Sequence, residues 1–260
     1  MKIEYRFDGK KYEKSSKHQR EWGDKLVKEL DLKGNETILD LGCGNGLITG
    51  ELAERVPHGK VVGIDSSPSM IETAKLHKTG NMEFRLLDIN EMNFDNEFDV
   101  VFSNATLHWI LDHEKLLKKI YRGLKPNGFM RIQFAADGNC SNLIEVLREV
   151  MDLPQFSSYF RGFTWPWYMP KVEEYEKLLS HTKFRNYKVW GENADRYFRD
   201  EKLMIGWIEQ PSIVPFLAVF PENMKKLFRD LVVEKMIKRT KQPDGTCFET
   251  FRRINVHAEK

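Results

Sequence analysis

Cysteine is scarce in this chain, and the three it has, Cys43, Cys140 and Cys247, are scattered with no CxxC pair. An odd, dispersed set excludes a disulfide scaffold and a cysteine-built zinc site, and it suits a reducing compartment. A surplus of one charge is missing too. Lys and Arg number 41 against 39 Asp and Glu, a formal net charge of +2, so neither a basic arm for nucleic acid nor an acidic solvating tail is expected. Long apolar runs are absent: stretches such as Ile213 to Phe220, itself broken by Pro215, fall well short of the roughly 20 residues a bilayer span needs. The opening MKIEYRFDGKKYEK has no apolar core, so no secretory leader is expected. Repeats, low-complexity tracts and Gly/Ser linkers do not stand out. What remains is 260 residues, 41% hydrophobic and 12% aromatic, enough for one large domain, or a domain with a smaller lid. A cytoplasmic, monomeric, water-soluble protein is the expectation.

The first 125 or so residues alternate helix and strand. Ser15 to Leu32 carries Trp22, Leu26, Val27 and Leu30 at helical spacing. Thr37 to Leu41 is a short apolar run closed by glycines, which predicts a buried strand. Leu47 to Val56 predicts a helix stopped by Pro57 and Gly59. Lys60 to Asp65 predicts a second strand, and Pro68 opens another helix. Met82 to Leu87 and Phe98 to Phe102 predict two more strands. Asp112 to Leu124 predicts a helix, closed by the turn Lys125-Pro126-Asn127-Gly128 ahead of a fifth strand, Phe129 to Phe134. Such alternation implies βαβ units and a mainly parallel sheet covered on both faces. Later, Asn142 to Met151 and Lys171 to Ser180 predict helices, Phe184 to Gly191 a strand, residues 200–240 one or two helices, and Thr246 to His257 a final strand. Between them Leu153 to Pro170 is dense in aromatics and prolines. It reads either as core filler or as a loop lining a site.

The strongest chemical signal is Asp40-Leu41-Gly42-Cys43-Gly44-Asn45-Gly46, at the junction of the first strand and its helix. Ligands of open α/β sheets sit outside the carboxyl ends of the strands, and glycines there let a backbone approach them closely. A dinucleotide fingerprint needs glycine at position 47, which is Leu47, and a P-loop needs a GKS or GKT ending that is absent. Asp40, just before the glycines, is unhelpful to a pyrophosphate and suited to a ligand carrying an ammonium and a sulfonium. Asp65 ends the second strand, where a carboxylate can accept from both hydroxyls of a ribose. Asp88 ends the third, where it can accept from an exocyclic amine beside the Ile89 backbone N–H. Singly, each Asp is equally a turn former or helix cap; three at consecutive strand ends form one constellation.

On DLGCGNG (40–46), VVGIDSSPSM (61–70), LLDIN (86–90), FDVVFSNATLHWI (98–110) and LKPNGFMRIQF (124–134), the chain resembles the class I S-adenosylmethionine-dependent methyltransferases. The resemblance implies a Rossmann-like, mostly parallel seven-stranded sheet ending in an antiparallel hairpin, here 184–191 and 246–257, with a helical, aromatic cap. It implies that Gly42 and Gly44 hold the methionine part of S-adenosyl-L-methionine, with Asp40 on its amino group and Ser103 closing that end. Asp65 would then hold the ribose, Ser66 and Met70 border the adenine, and Asp88 and Ile89 read its edge. Tyr12 to Gln19, Leu107-His108-Trp109 and Gln210 to Phe216 resemble more narrowly the trans-aconitate and juvenile-hormone-acid methyltransferase branch, whose members esterify small-molecule carboxylates. The expected layout is one methyltransferase domain over 1–260, with an N-terminal helical cap (1–34), a cofactor core (35–136) and cap insertions at 153–182 and 198–245.

A carboxylate nucleophile is already deprotonated at neutral pH, so its methylation needs alignment and exclusion of water more than a base. Trp109, Trp165, Tyr168 and Phe216 would line such a site, with one cation to hold the acid. Arg131, Arg161, Arg185 and Arg199 are the candidates, Arg161 the favoured one. His108 is open between three roles: base for a hydroxyl or amine, hydrogen-bond partner of the substrate, or packing beside Trp109. Gln19 is a candidate to reach over a carboxylate of cofactor or substrate. The remaining histidines show no ligand spacing, and no metal is expected. Two further classes stay open: a cofactor-binding module without activity, and a nucleic-acid methyltransferase, which commonly carries an Asn/Asp-Pro-Pro-aromatic turn where this chain has Ser103-Asn104-Ala105-Thr106. The basic residues Lys235, Lys238, Arg239 and Lys241 read as a solvated helix face. No nucleic-acid or membrane partner is expected.

Overall fold

The computed structural model describes residues 17–260, and for Lys17 to Gln19, Gln210 and Pro211 the backbone alone. The expected motif at Tyr12 to Ser16 lies outside the described residues, as does the Gln19 side chain. The chain divides into two compact units. One, the sheet unit, holds residues up to 137, 167–192 and 253–260; the other holds 138–166 and 193–252. Residues 167–182, expected in the cap, therefore belong with the sheet.

The sheet unit opens with helix α1 (Lys17–Glu29). Strands β1 (Thr37–Leu41), β2 (Lys60–Asp65) and β3 (Met82–Leu86) alternate with helices α2 (Leu47–Arg55) and α3 (Pro68–Leu76). Then come β4 (Phe98–Asn104), α4 (His113–Gly123) and β5 (Leu124–Ala135). The expected turn before the fifth strand is absorbed into β5, with Asn127 at φ 65°. Helix α5 (Ser141–Met151) belongs to the other unit; α6 (Val172–Ser180) and β6 (Arg185–Asn193) return to the sheet, and β9 (Arg252–Glu259) completes it. The order is β3-β2-β1-β4-β5-β9-β6. Strands β1 to β5 run parallel, and β9 enters antiparallel beside β5, with Phe129 opposite Glu259 and Ala135 opposite Arg253. The connection reverses between β1 and β4, so the carboxyl ends of these two strands flank the switch point.

Alternation within the strands assigns the two faces. Ile38, Val61 and Val100 pack with Leu26 of α1, Leu52 of α2 and Ile71 of α3. Their neighbours Leu39, Val62 and Val101 point the other way, to Leu116 and Ile120 of α4 and Tyr175 and Leu179 of α6. Both faces are buried, which is why these strands read as continuous apolar runs.

The second unit holds α5, β7 (Arg196–Phe198), α7 (Glu201–Trp207), the short α8 (Val214–Leu217), α9 (Glu222–Thr240) and β8 (Cys247–Glu249). The tail expected as a single strand over 246–257 is two. β8 pairs antiparallel with β7, and the chain breaks before β9 because buried Glu249 turns inward to cap α5. Its carboxylate accepts from the backbone N–H groups of Leu143 at 3.0 Å and Asn142 at 3.2 Å, orphan donors that every helix start must satisfy, and from its neighbour Thr250 N–H at 2.7 Å. The aromatic segment is largely core here: Phe156 stacks edge-on with Phe220 and Phe228 at 5.5 and 5.2 Å, and Phe163 meets Phe216 at 5.4 Å. On α9, Lys235 and Arg239 pair with Glu149 and Glu145 of α5. The run expected to be merely solvated is thus in part an interhelix clasp.

Candidate functional site

The turn after β1 is bent by three glycines at positive φ, Gly42 (71°), Gly44 (55°) and Gly46 (81°), conformations only glycine adopts without strain. It is pinned to the end of β2: the N–H groups of Gly42 and Cys43 both donate to the Ile64 carbonyl, at 2.8 and 3.0 Å. Two of these glycines are also packed. A Cβ on Gly42 would lie 2.1 Å from Thr106 Cγ2, and one on Gly46 would lie 2.8 Å from the Phe84 ring. Gly44 differs: among the described residues, a Cβ there would meet nothing within 4 Å.

Asp40 is buried, and its Oδ2 accepts from Thr49 Oγ1 at 2.7 Å. Burial pushes its carboxyl up to about 7; the Thr49 bond pulls it down in part, and the Asp65 charge pushes it up further. Asp65 is held from two sides, Oδ2 accepting from Gly44 N–H at 3.1 Å and Oδ1 from Ser67 N–H at 2.8 Å. Burial raises its pKa too, against the pull of these backbone N–H groups. Ser66 is exposed beside it, while Ser67 caps α3 and Met70 is buried. Asp88 closes the turn after β3, its Oδ1 accepting from Asn90 N–H at 2.8 Å, with Ile89 buried next to it. Ser103 is fully buried, and its hydroxyl donates to the Leu41 carbonyl at 2.8 Å. That hydroxyl ties β4 to β1.

The turn Leu107–Trp109 after β4 is clamped. The carbonyl of His108 accepts from Tyr168 N–H at 2.8 Å. His113 lies between the Leu107 carbonyl, 2.9 Å from Nε2, and the Tyr175 hydroxyl, 3.0 Å from Nδ1. The carbonyl can only accept, so Nε2 carries the proton and Nδ1 accepts from Tyr175. Burial depresses His113 to about 4, so the clamp stays neutral. The Trp109 ring stands 5.8 Å from Trp167 and 5.4 Å from His108. His108 Nδ1 is buried and has no hydrogen-bond partner among the described residues. Its pKa is depressed to about 3, chiefly by burial, then by the nearby Arg253 cation and by His113.

Arg161, the favoured acid-holding cation, is exposed and belongs to the second unit, as do Trp165 and Phe216; there Trp165 packs 5.2 Å from Phe216 and under Arg148. Arg131 is bound to Glu29 at 2.6 Å and Asn255 at 3.0 Å, Arg185 to Asn127, and Arg199 to Asp200. Sequence reasoning missed two residues. His113 has no ligand spacing, yet its position five residues after His108, at the start of the following helix, is a sequence sign of support for that turn. Arg253, in the tail strand, gave no local signal. Among the described residues no group of three or more His, Cys, Asp or Glu could hold a metal ion, and no helix is long and apolar enough to cross a membrane.

The donor set fits a cationic nucleoside. Two carboxylates flank an unobstructed glycine backbone, and those carboxylates keep lone pairs for an ammonium and for ribose hydroxyls. Comparisons with known proteins agree. A family model described as a methyltransferase domain matches residues 32–200. A protein of Schizosaccharomyces pombe described as an uncharacterized methyltransferase is 30% identical over 242 residues, 90% of each chain. The trans-aconitate 2-methyltransferase of Azoarcus sp. is 25% identical over 230 residues, 84% of each chain. Among solved structures, a Haemonchus contortus phosphoethanolamine N-methyltransferase in complex with phosphomonomethylethanolamine and S-adenosylhomocysteine superposes with a TM-score of 0.58 at 25% identity, over 92% of this chain and 52% of that one.

Proposed function

Because the chain belongs to the methyltransferase-domain family and is a class I S-adenosylmethionine-dependent methyltransferase, we propose that its acceptor is a small-molecule carboxylate, which it converts to a methyl ester. The cofactor supplies a methyl group on a positively charged sulfur, open to displacement by an oxygen lone pair. In this reading Asp40 holds its amino group, Asp65 its ribose, Asp88 and Ile89 its adenine edge, and the Gly42 to Gly46 backbone its methionine part.

The observation that carries the acceptor class is the state of His108. A histidine buried beside a cation, with its pKa near 3, is a poor base for an alcohol or an ammonium, whose protons need an acceptor of pKa closer to 7. A carboxylate needs none. His108 then serves as a neutral hydrogen-bond partner, and Trp109 with Tyr168 walls the acceptor from water. The trans-aconitate methyltransferases among the relatives support the same acceptor class. The H. contortus enzyme, an N-methyltransferase, makes amines the reading to test against.

The experiment supplies methyl-labelled cofactor with a panel of small acids including trans-aconitate, amines including phosphoethanolamine, and alcohols. Label in a product that releases methanol at high pH is the expected result. A base-stable product would move the assignment to nitrogen or alcohol oxygen. Tight cofactor binding without transfer to any acceptor would favour an inactive binding module.

A further inference from the structure

Thr106 stands at the start of the turn Leu107–Trp109, the position from which a threonine hydroxyl ordinarily caps the backbone that follows. Here it makes no such bond. Its Oγ1 turns back instead, 3.2 Å from the Gly42 carbonyl and 3.2 Å from the Asn104 carbonyl. One hydroxyl proton thus serves two acceptors, one in the turn after β1 and one at the end of β4. The side chain also packs on Gly42, where a Cβ would lie 2.1 Å from Thr106 Cγ2 and 2.5 Å from its Oγ1. The residue before it is strained. Ala105 has φ 56°, a left-handed conformation that costs an alanine more than a glycine. Its N–H donates to the Gln133 carbonyl of β5 at 2.8 Å, which holds the bend that turns the chain leaving β4 towards Gly42. On the other side, the Thr106 carbonyl accepts from Trp109 N–H at 3.0 Å. Thr106 therefore belongs at once to the glycine turn and to the turn that carries His108 and Trp109.

We propose that Thr106 is a positioning residue for methyl transfer, its hydroxyl fixing the spacing between the glycine turn and the His108–Trp109 turn. This rests on the reading of the first turn as the cofactor side and the second as the acceptor side; it does not depend on the acceptor being a carboxylate. An in-line displacement needs the attacking atom about 3–3.5 Å from the methyl carbon, on the side away from sulfur. Neither turn sets that spacing alone, and Thr106 joins the two. The strain at Ala105 and the unused cap both lower stability, and both are features of the conformation that makes the joint. A ligand bound against the Gly42 to Gly46 backbone should then also steady residues 105–110, through the same hydroxyl.

The test uses the full chain and three variants. Thr106→Val keeps the shape of the side chain and removes its donor, Thr106→Ser keeps the donor, and Ala105→Gly relieves the bend. In wild type, S-adenosylhomocysteine is expected to slow amide hydrogen exchange across residues 105–110. Thr106→Val should bind S-adenosylhomocysteine within about twofold of wild type yet lose most of that protection, and Thr106→Ser should restore it. In turnover with whichever acceptor the panel above reveals, kcat of Thr106→Val should fall roughly tenfold or more, with the cofactor KM nearly unchanged. Ala105→Gly should lose kcat about fivefold or more without a lower thermal midpoint, a split that a merely structural residue would not show. A wild type without protection at 105–110, or a Thr106→Val variant that keeps it, overturns the inference. So does a Thr106→Val variant with a lowered thermal midpoint and wild-type kcat, the mark of a structural threonine alone. A base-stable product refutes the carboxylate reading only, since the same fall in kcat on that acceptor supports Thr106. Ester formed equally fast by wild type and Thr106→Val refutes Thr106 and leaves the carboxylate reading standing.

Discussion

Asp65 spends two acceptor sites on the Gly44 and Ser67 backbones and keeps others for a ligand. Asp65→Ala removes a charged acceptor and also frees the glycine turn. Charge-assisted bonds contribute about 1.5–3 kcal/mol each, so cofactor affinity measured by calorimetry should fall on the order of ten- to a hundredfold. Asp40 makes a pH-dependent prediction. Its folded-state pKa of about 7 lies far above the ordinary aspartate range, so much of it is protonated at pH 6, and a cationic ligand must expel that proton. Cofactor affinity should therefore rise between pH 6 and 8, and Asp40→Asn should be weaker and flatter over the same range. A wild-type affinity independent of pH there would show that Asp40 does not face the ammonium. The three strand-end aspartates were legible in the sequence because a strand end is marked locally, by an apolar run meeting glycine or proline. Arg253 was not. It lies 145 positions from His108, and no local pattern announces a neighbour brought in by sheet pairing.

Among the elements, the β1–α2 turn separates packing from ligand approach. Gly42→Ala would drive a Cβ to 2.1 Å from the Thr106 side chain at positive φ, so both strain and clash apply. A stability loss of about 2–4 kcal/mol is expected, read as a lowered thermal midpoint. Gly44→Ala meets no neighbour among the described residues and bears the backbone strain alone, about 1–2 kcal/mol. It should nevertheless reduce cofactor affinity at least as strongly as Gly42→Ala, since its new methyl occupies the ligand's approach. Equal affinity in Gly44→Ala and wild type would place the cofactor elsewhere. Most strands and helices were legible to within a residue or two. The failures have causes: the 246–257 alternation is real, yet Glu249 is drawn away to cap α5, and helix capping across about 100 positions has no signature in a strand's own residues.

Across the whole molecule, buried titrating groups pull stability in opposite directions. Asp40 and Glu51 are both raised to about 7, each chiefly by burial, Glu51 then by its bond and charge contact with Asp24. Folded, these two bind protons that the unfolded chain has released, so their stabilisation is full below pH ~4 and lost as pH rises through 7. His108 and His113, depressed to about 3 and about 4, do the reverse: their contribution is full above the unfolded value near 6.5 and lost as pH falls. The two trends offset between about pH 4.5 and 6.5. Chemical denaturation should thus give a nearly flat stability over that range. The Asp40→Asn, Glu51→Gln double variant should instead lose stability steadily on acidification from pH 6.5. An equally flat profile in that variant would mean that neither carboxyl is held protonated in the fold.

The residues alone determined the parallel α/β sheet, the glycine turn and the acidic strand ends, because apolar period and strand-to-turn boundaries are local properties of a chain. Tertiary structure alone decided which histidine clamps the turn after β4 and where the tail divides between two sheets. Those outcomes depend on strand pairing and burial over long sequence separations, where a side chain's charge state is set by neighbours its own segment does not contain.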